Sequence, residues 1–345
     1  MSGPFGGPVC VTGASGYVAG PLVRELLRRG ATVRATVRDP GNERSVGHLT
    51  AMAAQEGGRL ELHAADLTRP GSFDGAVAGC EVVFHTASPF VMQVKDPQRD
   101  LVDPAVGGTR TVLSAVGKAA SVRRVVLTSS CLAVFGDPAD TAARPVTEDD
   151  WNTTGSLTHQ PYGYSKTVAE REAWAIAGAQ SRWSLVTINP GFVMGPSETP
   201  RVDSTSVDFL QGLIDGRRAS GIWNFSSSWV DVRDLAVAHV EAALRPEVSG
   251  RHLTSAGTHD LWEVIGWLRE DFGDRVRLPG MRVPRWLAHL IGPPMGFSWR
   301  YVAANVDVPL RLDASKAPRA LGVTFRPVRD TIRDHVEQLL ATPSS

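Results

Sequence analysis

Val9-Cys10-Val11-Thr12-Gly13-Ala14-Ser15-Gly16-Tyr17-Val18-Ala19 is the stretch whose reading settles the fold. Val9–Thr12 is a short apolar, β-branched run that suits a buried strand. Two glycines follow, and then a helix from about Tyr17 to Arg29, with Pro21 tolerable near its start and Gly30 as its stop. A strand, a glycine turn and a helix in that order aim helix N-terminal N–H groups at an anion, with glycine where a Cβ would block the approach. Glycine spacing alone is weak evidence; between a strand and a helix it points to a dinucleotide. Thr12, Gly13, Ser15, Gly16, Tyr17 and Val18 are the residues expected around its pyrophosphate, and Ala19 is small enough for close helix–strand packing.

Outward from this unit the same rhythm repeats. Strands are expected at Thr32–Val37, Leu60–Ala65, Val82–Thr86, Arg124–Ser129 and Ser184–Asn189, with helices over about 100–120 and Tyr162–Ala177. Short apolar runs alternating with amphipathic helices predict an α/β fold, a Rossmann-type doubly wound parallel sheet. After Pro190 the pattern changes. Residues 191–224 are rich in Gly, Pro and Ser around one helical stretch at Val207–Leu213; Trp229–Ala236 returns to strand-then-helix; the C-terminal part carries several tryptophans and a final helix near Val328–Leu340. The expected division is a dinucleotide-binding domain over 1–190, with 226–250 returning to it, and a smaller mixed C-terminal substrate lobe from 191–225 and 251–345.

Composition narrows the class. The chain has 345 residues, 42% hydrophobic and 21% charged, with 36 basic against 36 acidic residues, so no charge excess points to nucleic acid or an anionic membrane. The three cysteines, Cys10, Cys80 and Cys131, have no metal-ligand spacing and cannot all pair, which fits a reducing compartment. No metal is expected. The N-terminus lacks a signal-peptide pattern and no apolar run reaches the ~20 residues of a membrane span. A cytoplasmic protein, monomer or homodimer, is the expectation.

The end of the second strand chooses between nicotinamide cofactors. An acid there would bind a ribose 2′-hydroxyl, whereas arginine accommodates a 2′-phosphate. The chain reads Val37-Arg38-Asp39-Pro40, with Arg44 a few residues on, and Asp39 before a proline suits a turn. NADPH is therefore favoured over NADH. Asp66 and Leu67 close the third strand, where they could edge the adenine. Thr86, Ala87 and Ser88 close the fourth and should line phosphate or ribose.

Tyr162-Gly163-Tyr164-Ser165-Lys166 supplies the chemistry. A tyrosine and lysine four apart share a helix face, and the ammonium favours the phenolate, making the phenol a usable proton donor. Lysine occurs only at 95, 118, 166 and 316, and arginine could not replace it in this role, being bulky and too strongly protonated.

Together these pieces resemble the extended short-chain dehydrogenase/reductase family. The likeness spans nearly the whole chain and points to the dihydroflavonol reductase and cinnamoyl-CoA reductase branch, which includes microbial aldehyde and ketone reductases. It is carried by Val37–Pro40, by Val83-Phe84-His85-Thr86-Ala87-Ser88-Pro89, by Leu127-Thr128-Ser129-Ser130, and by Ser165-Lys166-Thr167-Val168-Ala169-Glu170. Asn189-Pro190-Gly191-Phe192-Val193-Met194-Gly195-Pro196 and Val230-Asp231-Val232-Arg233-Asp234 complete it. The resemblance implies a catalytic set of Ser130, Tyr162 and Lys166, with Ser129 the competitor for the serine. It implies cofactor contacts from Thr128, Tyr162, Lys166, Pro190, Gly191, Phe192 and Val193. It implies NADPH-dependent reduction of an aldehyde or ketone, reversible, with Ser130 orienting the carbonyl, Tyr162 as general acid and Lys166 lowering its pKa. One departure stands: the asparagine that many members place in the helix after the fourth strand is absent from Asp103–Thr109.

A hydrophobic or aromatic small-molecule carbonyl substrate is expected from Phe90, Met92, Leu132, Phe135, Met194, Trp223 and Phe225, with Tyr164 as a pocket wall. Each of these also suits ordinary core. His85 reads as a satisfied, buried imidazole, and Arg233 and Asp234 as ties between lobe and sheet. Two other readings remain: an NAD-dependent 3β-hydroxy sterol-type dehydrogenase, and a non-catalytic NADP-sensing regulator.

Overall fold

A computed structural model of the chain describes residues 4–88, 94–198 and 204–341. Its main sheet is built from β1 (Val9–Thr12), β2 (Thr32–Val37), β3 (Arg59–Ala64), β4 (Val82–His85), β5 (Arg124–Thr128), β6 (Ser184–Pro190) and, after three strands that lie elsewhere, a seventh strand at Gly250–Thr254. Strands β7 (Phe192–Met194), β8 (Ile222–Trp223) and β9 (Ser226–Asp231) make the seventh β10; β11 (Gly257–Asp260) and β12 (Arg282–Val283) follow. The order is β10-β6-β5-β4-β1-β2-β3, and every ladder is parallel. Chain order reverses between β1 and β4, so the crevice at their C-terminal ends is where such a sheet receives a ligand.

Helices cover both faces. α1 (Ala19–Arg28), α2 (Glu43–Glu56), α3 (Asp74–Val77), α4 (Asp103–Lys118) and α5 (Pro161–Gly178) follow successive strands. Side chains of β1 alternate between the two layers: Val9 and Val11 pack with Leu22, Leu26 and Val33, whereas Cys10 packs with Val83, Val112 and Val116. Burying each such aliphatic side chain contributes roughly 1.5–3 kcal/mol.

Three elements of this layer system were not expected from the sequence: the one-turn α3, α2 and β10. α2 places Val46, Leu49 and Met52 on one buried face and ends at Gly57, whose φ of 69° is left-handed. β10 carries Arg251 and His252 within five residues, so it lacks the apolar signature of its neighbours; pairing to β6 along one edge makes it a strand.

Residues beyond β6 divide differently. β9 pairs with β7 and β11 in a three-stranded sheet, while the helix that follows it, α7 (Val232–Leu244), packs against α1. The C-terminal lobe adds α6 (Thr205–Ile214), α8 (Leu261–Phe272), α9 (Arg285–Ile291), α10 (Trp299–Asn305), α11 (Lys316–Leu321) and α12 (Val328–Ala341). Arg233 bonds Asp334 at 2.8 Å and Asp234 pairs with Arg326, which ties α7 to α12 and the segment before it. No helix among the described residues is long and apolar enough to cross a membrane.

Candidate active site

The glycine turn lies where β1 and β4 end side by side. Gly13 has φ 65°, and a Cβ there would meet Ala87 Cα at 3.0 Å; a Cβ on Gly16 would meet the Gly13 carbonyl at 3.2 Å. The turn is thus closed to side chains, as close ligand approach requires. Thr12 joins the two strand ends: its Oγ1 accepts from Ala87 N at 3.0 Å, and its carbonyl accepts from Thr86 Oγ1 at 2.5 Å. Gly13 N donates to Thr36 Oγ1 at 3.2 Å. Ser15 and Val18 are partly exposed on this turn. The turn is held to β2 and to itself: Ala14 N donates to the Thr36 carbonyl and Gly16 N to the Gly13 carbonyl, each at 3.0 Å.

Tyr17 departs from its expected place in part. Its ring stacks on His335 of α12, and its hydroxyl donates to the Gly195 carbonyl at 2.7 Å, so only its backbone faces the turn. The reason is burial: the ring completes the seam between α1 and the C-terminal lobe, and that burial pushes the phenol well above its ordinary range.

At the adenosine end Arg38 and Arg44 are exposed. The Asp39 carboxylate accepts from Gly41 N at 2.9 Å and so shapes the turn before α2. Asp66 accepts from Thr68 N and Oγ1 at 2.8 and 2.7 Å, which holds it below the usual carboxylate range, with Arg38 and Arg69 adding to the effect. Leu67 is seated against Gly108 of α4, where a Cβ would come within 3.2 Å of it.

α5 presents the reactive pair. Pro161 opens the helix, Tyr162 in its first turn is 49% exposed, and Lys166 follows one turn later with its Nζ 5.6 Å from the Tyr162 ring centre. Lys166 Nζ donates to Ser88 Oγ at 2.9 Å, which bridges α5 to the end of β4. A crevice runs between them, lined by Ala87, Ser88, Thr128, Ser129, Lys166 and Glu170 among others.

The two serines after β5 differ in their bonds. Ser129 Oγ donates to the buried Glu170 carboxylate at 2.5 Å. Ser130 Oγ accepts from Leu132 N at 3.2 Å and also interacts with the neighbouring Cys131 thiol. Thr128 Oγ1 lies 2.7 Å from His239 Nε2. His239 Nδ1 faces the Leu235 carbonyl at 2.8 Å, so Nδ1 carries the proton and Nε2 accepts from Thr128; burial lowers this imidazole to about 4 and keeps it neutral.

Sequence reasoning gave Glu170 no role. It is 1% exposed and receives Ser129 Oγ, Thr187 Oγ1 at 3.1 Å, Asn189 Nδ2 at 2.7 Å and Arg251 Nε at 2.7 Å. Asn189 Nδ2 also reaches the Ser130 carbonyl at 3.2 Å. Arg251 stacks over Trp151 at 3.9 Å and donates to the carbonyls of Ala133, Glu148 and Asp150. Glu170 carried a signal, as a charge one turn past Lys166 on the same helix face. Arg251 carried none, because β10 meets α5 only through the sheet.

His85 is buried beneath the crevice, its Nδ1 3.0 Å from Thr12 Oγ1, and burial lowers it to about 3. It is a neutral, bonded imidazole between β1 and β4.

Several pocket expectations are corrected. Met194 is 0% exposed and packs with Leu210, Leu213 and Trp229, so it is core. Phe225 packs on Phe209 within the same cluster, and Phe135 is buried against Val134 and Leu253. Met194 ends β7 and Phe135 follows the turn after β5, both buried, whereas Phe225 remains partly exposed. Leu132, Tyr164 and Trp223 remain partly exposed. Trp223 packs edge-on against Phe297 at 4.9 Å. Pro190, Gly191 and Val193 are buried where β6 passes into β7, and Phe192 is partly buried against Phe209 and Trp229. Phe90 and Met92 lie outside the described residues.

Comparison with known proteins follows this geometry. The NAD dependent epimerase/dehydratase family matches residues 9–255. The chain is 39% identical to cinnamoyl-CoA reductase CAD2 of Medicago truncatula over 342 residues, 98% of this chain and 97% of that protein. It is 36% identical to an anthocyanidin reductase of Vitis vinifera over 286 residues, 80% of this chain and 82% of that one. Among solved structures, yeast methylglyoxal/isovaleraldehyde reductase Gre2 complexed with NADPH superposes with a TM-score of 0.79 at 27% identity, covering 97% of this chain and 98% of that one. The chain belongs to the NAD-dependent epimerase/dehydratase family, the extended short-chain dehydrogenases/reductases, within its dihydroflavonol and cinnamoyl-CoA reductase-like branch of oxidoreductases.

Proposed function

We propose that this oxidoreductase uses NADPH to reduce a hydrophobic or aromatic aldehyde or ketone to its alcohol, reversibly, with Ser130, Tyr162 and Lys166 as the catalytic set. The observation that carries the reading is the alignment on one face of α5 of an exposed Tyr162 and of Lys166, whose ammonium reaches Ser88 at the mouth of the glycine-turn crevice. When bound, the cofactor supplies hydride. The crevice floor of Gly13, Gly16 and Ala87 would hold its pyrophosphate, and Arg38 with Arg44 would meet a 2′-phosphate.

The remaining work falls to side chains. Ser130 and Tyr162 donate to the substrate carbonyl oxygen. Aligned donors meet the charge that develops there, worth about 3–4 kcal/mol for a single donor in well-studied cases. Tyr162 then gives its proton to that oxygen. The Lys166 ammonium favours the negative charge left on the tyrosine oxygen. Leu132, Tyr164 and Trp223 offer the partly exposed, mostly apolar surface for the rest of the substrate. The relatives support this reading, since the similar proteins reported above are reductases by name and one was solved with NADPH.

The test is NADPH consumption against methylglyoxal, isovaleraldehyde, cinnamaldehyde and aromatic ketones, with NADH in parallel and Tyr162→Phe as control. Turnover with NADPH that collapses in the variant is expected. A variant as active as wild type removes Tyr162 from the mechanism, and NADPH binding without turnover favours a sensor.

A further inference from the structure

Only two non-glycine residues among the described ones have positive φ: Gln160 at 53° and Asp307 at 56°. They are far apart in sequence and meet at one junction. Gln160 is the residue before Pro161 and caps α5, two positions ahead of Tyr162. Asp307 follows Asn305, the last residue of α10, by two, and its N–H donates to the Asn224 carbonyl.

A single buried carboxylate joins Gln160 to Asn305, two residues before Asp307. Asp137 accepts from Asn305 Nδ2 at 2.7 Å and from Gln160 Nε2 at 3.2 Å through Oδ1, and its Oδ2 lies 2.7 Å from His159 Nε2. Gln160 Nε2 also reaches Asn305 Oδ1 at 3.3 Å. Asp137, His159 and Asn305 are all buried. On the far side of Asn305, Tyr301 stacks with Phe297, and Phe297 packs against Trp223.

The left-handed region costs an L-residue about 1–3 kcal/mol, and a following proline further restricts the residue before it to extended conformations. Gln160 holds a backbone it would not choose alone. That backbone has a use: the Gln160 carbonyl accepts from Tyr164 N at 3.0 Å, the first hydrogen bond of the helix, and Tyr162 lies inside that turn. The direction in which α5 begins sets where the Tyr162 ring points.

We propose that Gln160 is a positioning residue: its left-handed backbone, pinned by Asp137 and Asn305, aims the first turn of α5 and makes the placement of Tyr162 depend on how the C-terminal lobe is seated. This rests on the reading of Tyr162 as the proton donor. A substrate that packs against Trp223 pushes on the same aromatic stack that Asn305 terminates, so docking of the lobe and aiming of the acid are one mechanical unit. Asp137 and Asn305 touch no reacting atom and act through Gln160.

The comparison of Gln160→Gly with Gln160→Ala tests this, because both lose the side-chain bonds and only alanine resists the left-handed backbone. The glycine variant should melt at a higher temperature than the alanine variant and keep about tenfold more kcat, using methylglyoxal or whichever of the panel carbonyls wild type reduces fastest. NADPH affinity, read from cofactor fluorescence, should match in the two. Asn305→Ala should lower kcat several-fold, again at unchanged NADPH affinity. Equal kcat in the glycine and alanine variants overturns the positioning role, and an alanine variant that melts at or above the glycine one overturns the left-handed seat itself. A wild-type protein that reduces no carbonyl defeats the functional reading instead, and the melting order then decides the seat by itself.

Discussion

The parallel sheet and the C-terminal lobe meet at the same cleft but are held together in different ways. In the sheet, buried strands pair in register along their whole length and each carries its apolar residues on alternating faces. In the lobe, α9 and α10 have seven residues each and gather around a small cluster of Val283, Ala288, Val302 and Val306. Trp286 and Trp299 there are 66% and 69% exposed. The loops at the glycine turn spring from strands paired in register. The lobe depends on point attachments such as Asn305 on Asp137 and Arg233 on Asp334.

That contrast can be broken by mutation, and the largest effect belongs to the rigid half. Tyr162→Phe is expected to cut kcat by about 10²–10⁴, the usual worth of a positioned acid, while NADPH binding measured by fluorescence stays as in wild type. A parallel loss of cofactor affinity would mean that the ring serves binding rather than proton transfer.

Next comes the buried pair beneath it. Arg251→Ala leaves the Glu170 carboxylate buried without its cation, and breaking such a pair costs about 3–5 kcal/mol. Urea unfolding should show this loss, with no comparable effect from removing the exposed Arg110–Glu172 pair, because surface pairs contribute ~0–1 kcal/mol. Equal losses would show that the sheet edge is no stiffer than the surface.

The third prediction uses pH. Burial holds His85 at about 3, and His239, His252 and His335 at about 4, against an ordinary 6.5, so all four are neutral when folded and take up protons when unfolded. Stability from this source is fully present above pH 6.5. It falls as pH drops from 6.5 towards 4, by about 1.4 kcal/mol per pH unit per histidine. Unfolding midpoints at pH 7.5, 6 and 5 check the slope. His85 and His252 lie on strands of the main sheet, His239 on α7 and His335 on the lobe's last helix, so His335→Asn should remove about one proton of four. An unchanged slope would mean that the lobe's histidine is already solvated in the native state.

Smaller effects should separate cofactor from substrate. Arg38→Ala should weaken NADPH about tenfold, the loss of a charged hydrogen bond, and leave NADH unchanged. Trp223→Ala, in the lobe, should shift KM among bulky carbonyls by a few-fold and leave NADPH affinity alone. If Trp223→Ala altered cofactor binding and Arg38→Ala did not, the two halves would have exchanged roles.

Much of the sheet half was readable before any coordinates. β1 and β2 fall on the expected residues, and α5 begins one residue before Tyr162 and ends one past Ala177, because alternation and glycine placement are local signals. α2 was missed since its stripe of Val46, Leu49 and Met52 is thin among polar residues. β10 was missed because Gly-Arg-His-Leu-Thr is strand only by virtue of lying beside β6. In the site, Tyr162 and Lys166 were legible from a four-residue spacing. That Ser129 and not Ser130 bonds Glu170 was not, since it depends on where β5 ends opposite α5. Met194 and Phe135 look like pocket residues in sequence and are core in space.

By itself the sequence determined the strand–glycine–helix cradle, the arginines at the end of β2 and the Tyr–Lys pair on one helix. Each is a short-range pattern whose meaning follows from the periodicity of the backbone and the size of a missing Cβ. Only the tertiary structure decided that Arg251 neutralises Glu170, that Tyr17 turns away to stack on His335, and that Asp137 links Gln160 to Asn305. Those pairings join segments separated by tens to hundreds of residues. Burial makes each partner's choice depend on what else is excluded from water, and no local pattern encodes that.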